Sequence, residues 1–193
     1  MFTHPAAVAT LTKMLSATTQ TLKRAAAVQG RFVQRTFLHD LPQPLQSSGD
    51  FLVARGLGVD WHTLKPFDAA TILTPSAVIQ RAADGHTQVL AANRQPGLHA
   101  IVNTFDALFT LDLSRLARRF SLFGVQGSGG WTLGLKPRAA ALAAHLTAVV
   151  VTGGEYPRDV TLYQAGGDRT EIRFVGVSVE PHLDAAQRKR FEP

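Results

Sequence analysis

The sequence predicts an α+β fold, in which an open antiparallel β-barrel leaves an apolar hollow that a few helices do not fill. One long amphipathic helical pattern stands near the N-terminus, and many short segments with alternating apolar residues follow it. Two or three short helical patterns interrupt these segments. An antiparallel sheet of this extent curls, so its concave face needs more cover than the helices supply. We expect a single domain over residues 1–193.

Composition excludes several classes of protein. With 45% hydrophobic and 18% charged residues the chain is globular, and the absence of cysteine excludes disulfide scaffolds and thiolate metal sites. No apolar run approaches the roughly 20 residues of a membrane-spanning helix. The net charge of +6 suits an anionic partner without choosing among lipid headgroups, glycans and nucleic acid. The N-terminal residues lack an export signal, so the protein is either cytosolic or has lost that signal.

Residues 5–27 have the clearest helical pattern. Leu11, Met14, Leu15 and Leu22 recur at spacings of three, four and seven, and polar residues occupy the opposite face. Pro5 suits the first turn of a helix. We therefore predict an amphipathic helix that packs on a sheet.

Alternating apolar residues predict the strands. Asp84-Gly85 marks the clearest hairpin, and the polar tail over 180–193 carries Phe191 as a candidate anchor. The predicted strands cover residues 31–38, 45–55, 59–65, 71–81, 87–92, 120–126, 131–136, 146–152, 159–163 and 170–179.

Three short helices complete the prediction. The first covers residues 99–111, the second contains Leu116 behind a cap at Asp112 or Ser114, and the third covers 137–144. Their apolar residues are large for so little helix. Core packing explains this, and so does a mobile lid over an apolar cavity.

Arg55 is the most informative residue of the central stretch 48–61. In a strand it shares one face with Phe51 and Val53. An unpaired guanidinium on an apolar face is costly, so Arg55 must reach a carboxylate, a row of backbone carbonyls or water. Trp61 follows a glycine-rich break. We expect the apolar face of this sheet to be incompletely filled.

Motifs for catalysis are weak. The glycine-rich segment 124–130 lacks the Lys-Ser/Thr of a phosphate-binding loop, and no Gly-x-Ser-x-Gly elbow occurs. The seven histidines form no close ligand pair. We therefore predict no catalytic residue, metal or cofactor, and we do not expect an enzyme. A hydrolase whose residues converge only in space stays an alternative.

Two basic clusters stand out. Neither is interleaved with aromatic residues as nucleic-acid binding requires, so we predict no nucleic-acid partner. A solvated face explains the clusters, and docking to an acidic partner or an anionic membrane is the second explanation. The clusters are Arg115, Arg118 and Arg119, and Arg188, Lys189 and Arg190.

Taken in order, these features resemble the LolA family of periplasmic lipoprotein carriers over nearly the whole chain. The resemblance depends on the order and spacing of several motifs, and Gly56 stands where the family has a proline. The matching segments are Phe32-Val33-Gln34, the Ser48–Arg55 strand with Trp61, Asp84-Gly85, the Phe120 strand, Trp131 to Pro137, and Gly167 to Phe174.

The resemblance implies an unclosed, strongly curved antiparallel β half-barrel, capped by an N-terminal helix and short lid helices, with an apolar cavity between. It implies a monomeric periplasmic carrier, from which a signal peptide was removed, that takes an acylated lipoprotein from an inner-membrane exporter to an outer-membrane acceptor. A glycolipid or polyketide-type lipid is an alternative cargo. A docking module that binds an acidic partner through its basic face is an alternative of another class.

The resemblance also implies site residues. Arg55 matches the family arginine that bonds the lid-helix backbone, so it would bridge to the helices of residues 99–119 and hold the closed state. The residues expected to line the cavity and bind ligand are Phe32, Phe51, Val53, Trp61, Ile79, Phe105, Leu108, Phe109, Phe120, Leu122, Trp131 and Leu133.

Overall fold

The computed structural model describes residues 2–91 and 107–192. Its helices are α1 (Val8–Met14), α2 (Ser16–Arg24), α3 (Leu113–Arg119), α4 (Ala140–Ala143) and α5 (Ala185–Lys189). Its strands are β1 (Ala27–Phe37), β2 (Leu45–Ala54), β3 (Gly58–Lys65), β4 (Ala69–Leu73), β5 (Ala77–Ala82), β6 (Thr87–Ala91), β7 (Phe120–Gly127), β8 (Gly130–Pro137), β9 (Leu146–Gly153), β10 (Pro157–Gln164) and β11 (Arg169–Glu180).

All eleven strands form one antiparallel sheet in the order β6-β5-β4-β3-β2-β1-β11-β10-β9-β8-β7. The first and last strands of the chain, β1 and β11, therefore lie together at its centre. The consecutive strands β6 and β7 lie at opposite edges and do not pair, so the sheet does not close. The expected fold, an unclosed antiparallel half-barrel with an N-terminal helical cap and short helices, is confirmed.

Two predicted elements are wrong in detail. The single helix expected over 5–27 is two helices, because Leu15 leaves helical geometry at φ −98° and ψ 12°. The single strand expected over 71–81 is the β4–β5 hairpin. Its turn is closed by Thr74, whose backbone N–H donates to the Ala77 carbonyl at 2.8 Å and whose hydroxyl accepts from the Ala77 N–H at 2.9 Å.

The N-terminal helices pack on the concave face of the sheet. Leu11, Leu15 and Leu22 are almost completely buried there, as the helical spacing predicts. Gly124 of β7 makes the close approach of α1 feasible, because a Cβ at this position would overlap the Leu11 side chain. These contacts cover the β7–β8 side of the concave face and leave the β9–β11 side to be covered by other residues.

The C-terminal tail covers the convex face. Phe191 is buried in a second apolar cluster with Leu52, Ile72 and Ile79, so its expected role as an anchor is confirmed. Arg190 Nε donates to Asp60 Oδ2 at 2.6 Å, and the Asp60 side chain is only 5% exposed. The tail thus seals the side of the sheet opposite to the concave core.

Replacement of Arg190 by alanine should leave the Asp60 carboxylate buried without its cation. Because the Arg190 side chain is itself 34% exposed, we expect a loss of about 2–3 kcal/mol, less than for a fully buried pair. The free energy of unfolding in urea measures this loss. The matched control is Arg188→Ala in the same C-terminal tail, which should change stability by less than about 0.5 kcal/mol. Equal effects of the two substitutions would contradict the prediction.

Candidate functional site

A cavity of about 950 Å³ opens on the concave side of the sheet. Its volume is near the upper end of the roughly 300–1,000 Å³ that is usual for ligand pockets. Apart from Arg118, Arg119, Arg138 and His145, its described lining is apolar. The apolar lining residues are Trp61, Leu108, Phe109, Phe120, Ala139, Ala141, Leu142, Leu146, Val149, Val151, Pro157, Val160, Leu162, Ile172 and Phe174.

An aromatic cluster separates the cavity from the core beneath β1 and β2. Trp61 lines the cavity and stacks on buried Phe32, with ring centroids 3.8 Å apart. Phe174 and Phe109 also line the cavity, and both pack against buried Phe51 at centroid distances of 5.0 and 5.8 Å. The outer rings of this cluster contact the cavity, whereas the inner rings are fixed by packing.

The structure places the expected ligand-binding residues in three locations. Trp61, Leu108, Phe109 and Phe120 line the cavity. Ile79 lies on the convex face, since its neighbour Val78 points into the concave core. Phe105 lies outside the described residues. The remaining six belong to the concave core beside the cavity and are Phe32, Phe51, Val53, Leu122, Trp131 and Leu133. Ligand binding by any of them stays a prediction.

Sequence reasoning missed the main cavity wall, which β9, β10 and β11 supply. Alternation marked all three segments as strands and thus their apolar faces. It did not show that the helices of the described residues leave these particular faces open to the cavity. The wall residues are Val149, Val151, Val160, Leu162, Ile172 and Phe174.

Trp131 has a structural role that the sequence did not indicate. Its indole N–H donates to the Gly154 carbonyl at 2.8 Å and contacts the Thr18 hydroxyl oxygen at 3.1 Å. The Thr18 hydroxyl donates to the same carbonyl at 2.7 Å. These bonds tie α2 to β8 and to the turn before β10, and they satisfy the buried indole.

Arg55 binds the C-terminal end of α2. Its guanidinium donates to the carbonyls of Leu22 at 2.8 Å, Lys23 at 2.5 Å and Ala25 at 3.2 Å. Of the partners that its charge requires, the row of backbone carbonyls is the one observed. A cation at this place complements the helix dipole and satisfies carbonyls that have no partner within the helix. The expected bridge from Arg55 to residues 99–119 stays a prediction.

The resolved pKa shifts concern groups outside the cavity lining. Hydrogen bonds from the backbone N–H and the ring of His39 lower the pKa of Asp168, in the turn before β11. A hydrogen bond to Asp159 raises the pKa of Arg173. Burial, and then the neighbouring Glu155, raise the pKa of Tyr156. Each shift therefore reflects local pairing or burial at groups that do not line the cavity.

Comparisons with known proteins agree on one family. The family model described as "Outer membrane lipoprotein carrier protein LolA" matches residues 23–190. An outer-membrane lipoprotein carrier protein of Azotobacter vinelandii (strain DJ / ATCC BAA-1303) is 26% identical over 169 residues, which are 88% of this chain and 79% of that protein.

Solved structures also align with most of the chain. A LolA superfamily protein from Nitrosomonas europaea aligns with a TM-score of 0.42 and 8% identity, over 86% of this chain and 94% of that one. MucB aligns with a TM-score of 0.46 and 18% identity, over 95% of this chain and 63% of that one. No helix among residues 2–91 and 107–192 is long and apolar enough to cross a membrane.

Replacement of Arg55 by leucine should destabilise the protein without unfolding it. The substitution leaves three carbonyls at the end of α2 without their cationic donor. Because Arg55 is exposed, we expect a loss of about 1–2 kcal/mol, below the sum for three buried bonds. Arg55→Lys should recover only part of this loss, since an ammonium lacks the planar fork. Urea unfolding of both variants measures the effect, and wild-type stability of Arg55→Leu would contradict the capping role.

Proposed function

The chain belongs to the LolA family of outer membrane lipoprotein carrier proteins, and from this premise we propose that it ferries an acylated lipoprotein between membranes. The lipoprotein's acyl chains occupy the cavity, and the protein part stays outside. The apolar wall built by β9, β10 and β11 is the observation that carries this proposal. No catalytic step is needed, because the carrier binds and releases its cargo unchanged.

The free energy of binding comes from burial of the acyl chains. Each methylene moved from water to an apolar site contributes roughly 0.8 kcal/mol. A cavity of about 950 Å³ lined by Val149, Val160 and Phe174 offers such a site without prior unfolding of the core. The cavity favours a carrier over the alternative docking module, whose core would be filled.

Release requires a competing state. We place this competition at Arg55. The family resemblance implies that this arginine holds the closed state through the lid helices of residues 99–119, and the bonds observed here run to the end of α2. Hydrogen bonds from Arg55 to helix carbonyls stabilise the empty protein, and cargo binding must overcome them. A carrier with such a closed state holds its cargo less tightly than the cavity alone would allow. The cargo then passes to an acceptor that binds it better.

Location and partners follow from this function. The carrier operates as a monomer in the periplasm, after removal of an export signal. An inner-membrane exporter supplies the lipoprotein, and an outer-membrane acceptor receives it. The apolar cavity and the family membership support this assignment, and the identities of both partners are separate questions.

A fluorescein-labelled triacylated lipopeptide tests the binding step. The protein should bind it, and the same peptide without acyl chains should not bind. Val160→Trp should weaken lipopeptide binding at least about tenfold, because the indole occupies the space of the acyl chains. Fluorescence anisotropy measures the affinity.

The matched control is Val175→Trp. Val175 is 39% exposed and lies on β11, next to Phe174, on the face that points away from the cavity. This variant should bind like the wild type. Unchanged binding by Val160→Trp, or equal loss in both variants, would contradict the assignment of the cavity as the acyl site.

Arg55→Leu should also slow cargo release. Without its bonds to α2 the empty state is less stable, so the loaded state is favoured relative to it. Transfer of the labelled lipopeptide from protein to acceptor liposomes should therefore be slower than from the wild type. The control is Arg35→Leu on the exposed face of β1. Wild-type transfer kinetics in Arg55→Leu would remove Arg55 from the release step.

A further inference from the structure

Three arginines lie together at one edge of the cavity. Arg118 and Arg119 end α3, and Arg138 follows β8. The Arg138 N–H donates to the Arg119 carbonyl at 2.9 Å, which continues the β7–β8 ladder beyond the pairing of Phe120 with Pro137. We call these three residues the basic rim. Because backbone hydrogen bonds hold its two segments side by side, the cluster is a property of the fold.

The basic rim lacks acidic neighbours among residues 2–91 and 107–192. No aspartate or glutamate occurs in the described lining of the cavity, and none lies within ion-pair distance of the three guanidinium groups. Asp112, at the other end of α3, is used as the helix cap and accepts from the Arg115 N–H at 3.0 Å. Within the part of the chain that the structure describes, the three guanidinium groups thus have no ion-pair partner, and an apolar wall lies beside them.

The three arginines line the same cavity, and its described lining contains no carboxylate. Arginine is well suited to bind phosphate and carboxylate groups, because its planar fork makes paired hydrogen bonds to them. All three side chains are exposed, so water and salt screen them until a ligand covers them. An anion held there would gain both attraction and hydrogen bonds, while a chain attached to it enters the cavity.

We propose that the cavity takes an amphiphile whose headgroup is anionic, with the headgroup on Arg118, Arg119 and Arg138 and the acyl chain against β9–β11. This inference rests on the proposed acyl-binding function and adds the charge of the cargo to it. A phosphate diester of a lipid and a carboxylate of a fatty acid share the required chemistry. His145 lies in the same lining and is its one other polar side chain among the described residues.

Two pairs of ligands test the inference, each with one acyl chain length. Lauroyl lysophosphatidylglycerol is anionic, and lauroyl lysophosphatidylcholine is zwitterionic. Laurate is anionic, and monolauroylglycerol is neutral.

All four ligands are titrated below their critical micelle concentrations, and tryptophan fluorescence reports binding because Trp61 lines the cavity. The wild type should bind the anionic member of at least one pair about tenfold more tightly. The pair that shows the preference identifies the source as phosphate or carboxylate.

The variant Arg118→Gln/Arg119→Gln/Arg138→Gln should lose this preference and keep its affinity for the neutral ligand. The single variant Arg138→Gln should reduce the preference for the anionic ligand. It replaces the triple variant in the test if the triple variant does not fold. The control Arg24→Gln/Arg35→Gln/Arg188→Gln removes the same charge from exposed positions outside the cavity lining, and it should keep the wild-type preference.

Three results would overturn the inference. If the wild type binds the two ligands of each pair with equal affinity, the cavity does not distinguish headgroup charge. The proposed binding of acyl chains would remain supported in that case. Equal loss of preference in both triple variants would show general attraction to net charge, as expected of a basic face that docks on an anionic membrane. Failure of every acyl ligand and of the lipopeptide to bind would remove the proposed function together with this inference.

Discussion

The concave face of the sheet is larger than the helices described over residues 2–91 and 107–192 can cover. Eleven antiparallel strands curve into a half-barrel, and each strand contributes apolar side chains to the inner face. The helices α1, α2 and α3 are at most nine residues long and cover only part of that face. Backbone hydrogen bonds fix the strand spacing, so the uncovered wall cannot collapse on itself. A cavity lined by β9, β10 and β11 remains beside these helices.

The convex face of the sheet, in contrast, is covered by the chain itself. There the C-terminal tail seals the sheet with Phe191 and with the Arg190–Asp60 ion pair. Arg81 adds hydrogen bonds to the carbonyls of Arg190 and Glu192. The protein therefore uses its own chain to close one face and leaves the other partly open. The cavity accordingly lies on the concave side of the sheet, next to the basic rim.

Local sequence patterns predicted most strands because alternation is a local property of one chain segment. These patterns gave no correct assignment where one segment allowed two assignments, or where the answer depended on a second strand. Val78 and Ile79 are both apolar and adjacent, so alternation could not assign Ile79 to the convex face. The β4–β5 turn was missed because Val78 and Ile79 continued the apolar pattern of β4. The basic rim depends on the register that sets Phe120 against Pro137, and register between strands is not readable from either strand alone.

Charge alone predicted that the Arg55 guanidinium needs hydrogen-bond acceptors. It did not predict that the end of α2 supplies them. A guanidinium beside apolar residues needs oxygen acceptors, and the end of a helix supplies a row of them. The consequence reaches the cavity through α2. One end of this helix is held by Arg55, and Thr18 within it bonds Gly154, just before the strand whose Pro157 and Val160 line the cavity. Displacement of α2 must break bonds at both places. Arg55 and Gly154 are therefore connected through α2 by observed hydrogen bonds, although Arg55 itself lies outside the cavity lining.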